Sequence, residues 1–125
     1  MLKVLVWIAL GGSIGSVLRY IIAYFLHKQV GFEFPIETMV VNLSGSFLAG
    51  FIFSYIVEKL LIPPQIRAFI LTGFLGGFTT FSTFAMESLN LLMEGRYGYF
   101  IFYFLFTNLG ALFLSFLGYS LSRIL

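Results

Sequence analysis

Apolar residues along this chain fall into four long runs separated by short polar or turn-forming breaks. The first covers residues 4–26 and ends at His27, Lys28 and Gln29, after which a polar connection passes through Gly31, Glu33 and Pro35. The second covers 36–57 and is closed by Glu58, Lys59 and the Pro63, Pro64 pair, whose rings and missing N–H groups bar a helix interior. The third, 67–94, is the longest, and the fourth, 97–121, follows the tight Glu94, Gly95, Arg96 turn and stops near Arg123. A helix needs roughly 20 such residues to cross a bilayer. The pattern therefore predicts an all-α membrane protein with four transmembrane helices, a single four-span domain over residues 1–125. Lys3 ahead of the first run is reminiscent of a signal peptide. The run continues to Leu26 without a small-residue cleavage site, so a retained span is expected.

The third run is too long for one straight crossing. As unbroken helix it would reach about 42 Å, against a hydrocarbon core of about 30 Å. Its middle holds Gly73-Phe74-Leu75-Gly76-Gly77-Phe78-Thr79-Thr80. Glycine weakens a helix there and hydroxyls can satisfy the released backbone groups. The expectation is a third helix broken at mid-membrane.

Composition agrees with this reading and narrows the function classes. Hydrophobic residues make up 60% of the chain and charged residues 10%, where a soluble domain carries roughly 25% charged. The net charge is +2 and the seven basic residues are scattered, which gives no footprint for nucleic acid. The absence of cysteine and the single His27 exclude disulfides, thiolate chemistry and a Cys- or His-built metal site within one chain. No Ser-His-acid set or paired intramembrane carboxylate is present, so an enzyme is not expected. Lys3, Lys59, Arg67 and Arg123 fall on the side holding both termini, with Lys28 and Arg96 opposite. Four against two is a weak orientation signal. It allows insertion both ways, and two opposed copies would supply the symmetry that larger transporters obtain from inverted repeats. An antiparallel, dual-topology homodimer is the resulting expectation.

Polar side chains inside hydrocarbon cost free energy unless partnered, so they carry the information about chemistry. They are Arg19 in the first run, Asn42, Ser44 and Ser46 in the second, Thr79, Thr80, Ser82 and Thr83 in the third, and Thr107, Asn108 and Ser115 in the fourth. Glu87 lies towards the end of the third. Small residues recur at four-residue spacing, as Gly11 with Gly15, Gly12 with Ser16, Ser46 with Gly50 and Gly73 with Gly77, a pattern that lets helices approach closely. Arg19 must face protein or water. It either snorkels in a structural role or draws anions towards an aqueous vestibule.

Residues 76–84 combine a backbone break, four hydroxyls and three aromatics. An opened backbone inside a membrane presents carbonyls to cations and amides to anions. Phe81 and Phe84, three apart, share one helix face. The rings either fill the interior or turn their positive edges towards a pore, where they would favour a small dehydrated anion. The Asn42 amide, a donor, could complete such a site.

Three ordered motifs carry a resemblance to a known family. They are Gly11-Gly12-Ser13-Ile14-Gly15-Ser16-Val17-Leu18-Arg19-Tyr20, Val41-Asn42-Leu43-Ser44-Gly45-Ser46-Phe47, and the Gly73 to Phe84 segment. Together they resemble the Fluc (CrcB) fluoride channels across nearly the whole chain. The resemblance implies an antiparallel homodimer in the cell membrane that exports fluoride passively through two pores, with a structural sodium ion at its centre. It implies that Phe81 and Phe84 present ring edges to fluoride, that Asn42 donates a hydrogen bond to it, and that Ser82 and Thr83 adjoin the ion path. It further implies a polar track at Tyr103 and Thr107, and sodium held by the carbonyls of Gly76 and Thr79. Ala111 departs from the pattern, because some members carry a hydroxyl there. Two rivals remain. One is a small multidrug-type, proton-coupled antiporter, which would need an embedded acid that the first run does not offer between Gly12 and Ser16. The other is a non-conducting assembly subunit.

Overall fold

The computed structural model describes residues 1–30 and 34–125, so Gly31 and Glu33 of the expected first connection lie outside the described residues. Helix α1 is Leu2–Val30 and α2 is Ile36–Ile52, which widens without interruption into a π-helical turn at Phe53–Lys59. After the double proline, α3 (Pro64–Arg67) runs into a second π-helical stretch, Ala68–Leu75, and then α4 (Gly76–Phe78). Helices α5 (Phe81–Met93) and α6 (Tyr97–Ile124) complete the chain. Four of the resulting stretches are long and apolar enough to cross a membrane, namely Leu2–Lys28, Ile36–Lys59, Pro64–Met93 and Tyr97–Ile124. The third begins at Pro64 rather than near residue 67, because proline lacks only an N–H that the first turn would leave unpaired anyway.

The turn between α5 and α6 follows from its sequence. Gly95 adopts φ 75°, the left-handed conformation that glycine takes without a Cβ penalty. This lets the Arg96 N–H reach the Leu91 carbonyl at 2.9 Å and the Gly95 N–H reach Leu92 at 3.1 Å, which closes α5 with a Schellman pair.

Two helix pairs organise the packing. Helix α2 lies along α6, where the Ser115 hydroxyl donates to the Ser46 carbonyl at 3.0 Å and Gly50 and Gly118 meet opposing backbone at Ser115 and Phe47. Helix α1 lies along the stretch from Ala68 to Phe78. A Cβ on Gly73 would sit 2.7 Å from the Ile8 carbonyl oxygen, and one on Gly77 would sit 2.7 Å from that of Gly12. Gly11 and Gly15 meet the Phe69 and Phe74 carbonyls in return. Only glycine fits at such a crossing.

These glycines refine the sequence expectation in one respect. The sequence places the break within Gly73 to Thr80; Gly73, Gly76 and Gly77 are all helical, and non-helical backbone begins only at Thr79. The contact with α1 uses the missing Cβ, and the helix therefore survives the weak propensity of glycine.

The exterior is as apolar as a membrane demands. Leu5, Leu10, Val17, Phe102, Leu109, Phe113 and Phe116 are all exposed. The interior is small, formed by Met39, Phe84, Leu91 and Tyr103 with Phe34, Ile36, Leu43 and Phe100 packed against them.

Candidate ion site at the helix break

The centre of interest is two residues long. Helix α4 ends at Phe78, Thr79 is extended (φ −91°, ψ 158°), Thr80 is extended (φ −147°, ψ 117°), and α5 starts at Phe81. The Thr79 hydroxyl and amide both donate to the Leu75 carbonyl, at 3.0 and 3.1 Å, which ties off the end of the first half. Thr80 opens the second half as an N-cap: its Oγ1 accepts from the Thr83 N–H at 3.2 Å and donates to the Thr83 Oγ1 at 3.0 Å.

What keeps the break open is Asn42 on α2. Its Nδ2 donates to the Thr80 carbonyl at 2.9 Å, and the Thr80 N–H donates to its Oδ1 at 2.8 Å. One side chain thus satisfies both polar groups of an extended residue, as a neighbouring β-strand would. The Asn42 oxygen is committed, and its amide keeps one further N–H, since an NH₂ group carries two donors.

Arg19 resolves in a similar way. Its Nε donates to the Gly77 carbonyl at 2.9 Å, so a cation from α1 sits at the C-terminal end of α4, where the helix dipole is negative.

A groove of about 470 Å³ opens beside the break. Asn42, Gly76, Thr79, Thr80, Phe81, Phe84, Thr107, Asn108 and Ala111 are among the residues that line it. Phe81 and Phe84 have ring centroids 5.8 Å apart, but Phe81 is 77% exposed and Phe84 only 4%. One ring belongs to the interior and the other projects from it. Thr107 is buried and its Oγ1 has no hydrogen-bond partner among the described residues, so the groove has an unused hydroxyl in its wall. Thr83 is spent on the cap, and Ser82 is exposed and outside the groove. Ser82 lies two residues from Phe84, which puts it on nearly the opposite side of α5.

Sequence reading missed the arrangement just beyond Phe84. The Glu87 carboxylate accepts from the Tyr103 hydroxyl at 2.8 Å and from the Thr38 Oγ1 at 3.1 Å, so α2, α5 and α6 meet on one acid. Tyr103 is fully buried and packs on the Phe84 ring at 5.0 Å between centroids. The signal was available: Glu87 is three residues after Phe84 and so shares its face. Its partners, 16 and 49 residues away, were not foreseeable from local pattern.

Four apolar crossings, a broken third helix and a groove at the break define a small multi-pass integral membrane protein of the cell membrane. Residues 6–119 match the family described as CrcB-like protein, Camphor Resistance (CrcB). A relative from Aquifex aeolicus, named fluoride-specific ion channel FluC, is 47% identical over 116 residues, covering 93% of this chain and 94% of the relative. Relatives of the same name from Hydrogenobaculum sp. and Hahella chejuensis are each 42% identical, covering 94% and 97% of this chain and 93% and 95% of their own lengths. The chain belongs to the CrcB family. By name, its relatives are ion channels rather than enzymes.

Proposed function

We propose that this chain is a fluoride-selective channel that exports fluoride from the cytoplasm passively, through two pores of an antiparallel, dual-topology homodimer whose broken helices meet at mid-membrane. The observation that carries the reading is the Asn42-clamped break at Thr79 and Thr80 beside a groove flanked by Phe81, Phe84 and Thr107. The names of the relatives supply the ion.

Fluoride is small and strongly hydrated, so a selective path must replace water with several weak donors and release the ion again. The chain offers them in sequence. Phe81 and Phe84 contribute the positive edges of their rings, Asn42 its second amide N–H, and Thr107 its unpaired hydroxyl. Tyr103 packs against Phe84 and Thr83 belongs to the cap at the break, and Arg19 supplies positive potential behind it.

A structural sodium fits the residues present. Gly76 and Thr79 line the groove at the C-terminal end of α4, where helix carbonyls carry partial negative charge. A hard cation suits carbonyl oxygens. Bound there by Gly76 and Thr79 of two opposed copies, it would offset the repulsion between converging helix ends. Higher thermal stability of the purified dimer in sodium than in choline salts is the expected result.

The proton-coupled antiporter is the reading that Glu87 would favour, as an acid inside a crossing. Both of its oxygens already accept from Tyr103 and Thr38, so this acid is engaged in joining three helices. Fluoride efflux from liposomes holding only this protein tests the choice. Rapid efflux supports the channel, whereas drug-driven proton flux without fluoride efflux rejects it. Silence in both assays also rejects it, in favour of an assembly subunit.

A further inference from the structure

One polar side chain inside the fourth crossing has no part in the ion path described so far. Asn108 stands about 16 Å along α6 from its start at Tyr97 and about 24 Å from its end at Ile124, at the usual rise per residue. A short amide at that depth cannot reach water past either end of the helix, and hydrocarbon offers it nothing to bond. A lipid-facing position would be filled at less cost by any aliphatic residue.

The structure puts Asn108 elsewhere: it lines the groove beside the break, next to Thr107, and is exposed there. Its Nδ2 donates to the Phe104 carbonyl, one turn back on α6, at 2.7 Å. That bond ties the amide to its own helix and uses one of its two N–H donors. Among the described residues nothing takes up the second N–H or the Oδ1. The two N–H bonds of an amide diverge, so the free one turns away from the Phe104 carbonyl. Asn42 is in the same condition across the groove, with one N–H committed to Thr80 and one to spare.

We propose that Asn108 is a fluoride-binding residue of the ion path, an amide donor that takes the ion at the rim of the groove before the half-buried Asn42 and the buried Thr107 hold it further in. The inference rests on the conduction reading above. The groove encloses about 470 Å³, many times the roughly 30 Å³ that one water occupies in the liquid, so a single pair of donors cannot surround an ion throughout it. A strongly hydrated anion crosses such a space where each shed water is replaced by a donor and adjacent sites share the ion. On the rest of the wall Ala49, Leu71, Leu75 and Ala111 carry no side-chain donor. Asn108 supplies one, already oriented by its bond to Phe104.

The test is fluoride efflux from liposomes, measured at low and high internal fluoride, with size-exclusion chromatography of each protein. Asn108→Leu should elute as the wild type does and pass fluoride on the order of tenfold more slowly at low fluoride, the scale of one lost hydrogen bond to a charged group. The deficit should shrink at high fluoride, as a weakened binding step requires. Asn108→Gln keeps both amide donors and should stay within about threefold of wild type, whereas Asn108→Asp, the same shape with a negative charge and no donor, should pass no fluoride. Wild-type flux from Asn108→Leu or Asn108→Asp overturns the proposal and leaves conduction standing. A deficit in Asn108→Leu that is equal at both fluoride levels, or that comes with altered elution, assigns Asn108 to packing and overturns it too. A silent wild type removes the conduction reading itself.

Discussion

The two halves of the third crossing are held by opposite means. Before the break, the stretch from Ala68 to Phe78 presses on α1 backbone to backbone at Gly11, Gly15, Gly73 and Gly77, where no Cβ intervenes. After the break, α5 touches its neighbours through long side chains: Phe84 on Tyr103, Glu87 on Tyr103 and Thr38. In lipid no hydrophobic force draws helices together, so close van der Waals contact between small residues serves as the frame. Side-chain contacts are looser and directional, and they reach the groove at Phe84. One half is the fixed frame and the other is the chemistry. The difference explains why the two residues between them need a clamp from a third helix.

The comparison breaks most readily at the frame. Gly77→Leu would drive a side chain into the α1 backbone around Gly12 and Ser16. Overpacking costs roughly 1–3 kcal/mol where side chains can yield, and backbone yields less. We expect no monodisperse protein from this variant, and a normal size-exclusion profile would disprove the frame assignment. Asn42→Asp comes next. It loses the donor to Thr80 and places a negative charge in the groove, so flux in the liposome assay should vanish. Asn42→Ala removes the clamp without the charge and should lower unfolding stability by about 1–3 kcal/mol, the cost of orphaning buried polar groups.

Phe81→Ile and Phe84→Ile remove the ring edges, and both should block flux while the assembly remains intact. Because Phe84 is buried and Phe81 is open, only Phe84→Ile should also lower thermal stability. Equal melting of the two variants would show that the burial difference does not survive in the assembled protein. Arg19→Met, which deletes the cation at the end of α4, should cost up to about 2 kcal/mol. Ser82→Ala should do least, within about 0.5 kcal/mol of wild type, with flux nearly unchanged. A large loss of flux there would return Ser82 to the ion path.

The four crossings were legible because hydrocarbon tolerates few sequences, and runs closed by Lys59 with Pro63 or by the Gly95 turn mark their own ends. The interruption of the third run was legible from its excess length and its hydroxyls. Its position was legible to within Gly73 to Thr80 but not to the residue, because packing against α1 keeps the glycines helical and leaves the opening to Thr79 and Thr80. Asn42 was readable as important but not in its main role. A sequence shows that an amide is present, not that the extended Thr80 backbone 38 residues later will occupy both its ends. Glu87 was passed over for the same reason, since its donors come from two other helices.

The Asn42 clasp bears on how ions would move. A joint whose N–H and C=O are both held by a neighbouring helix cannot swing without first giving up two hydrogen bonds, which ties the break to α2. Rocking of one half against the other, the motion by which carriers alternate between sides, is thereby resisted at the break. A conduit in such a scaffold would not need that swing to pass an ion.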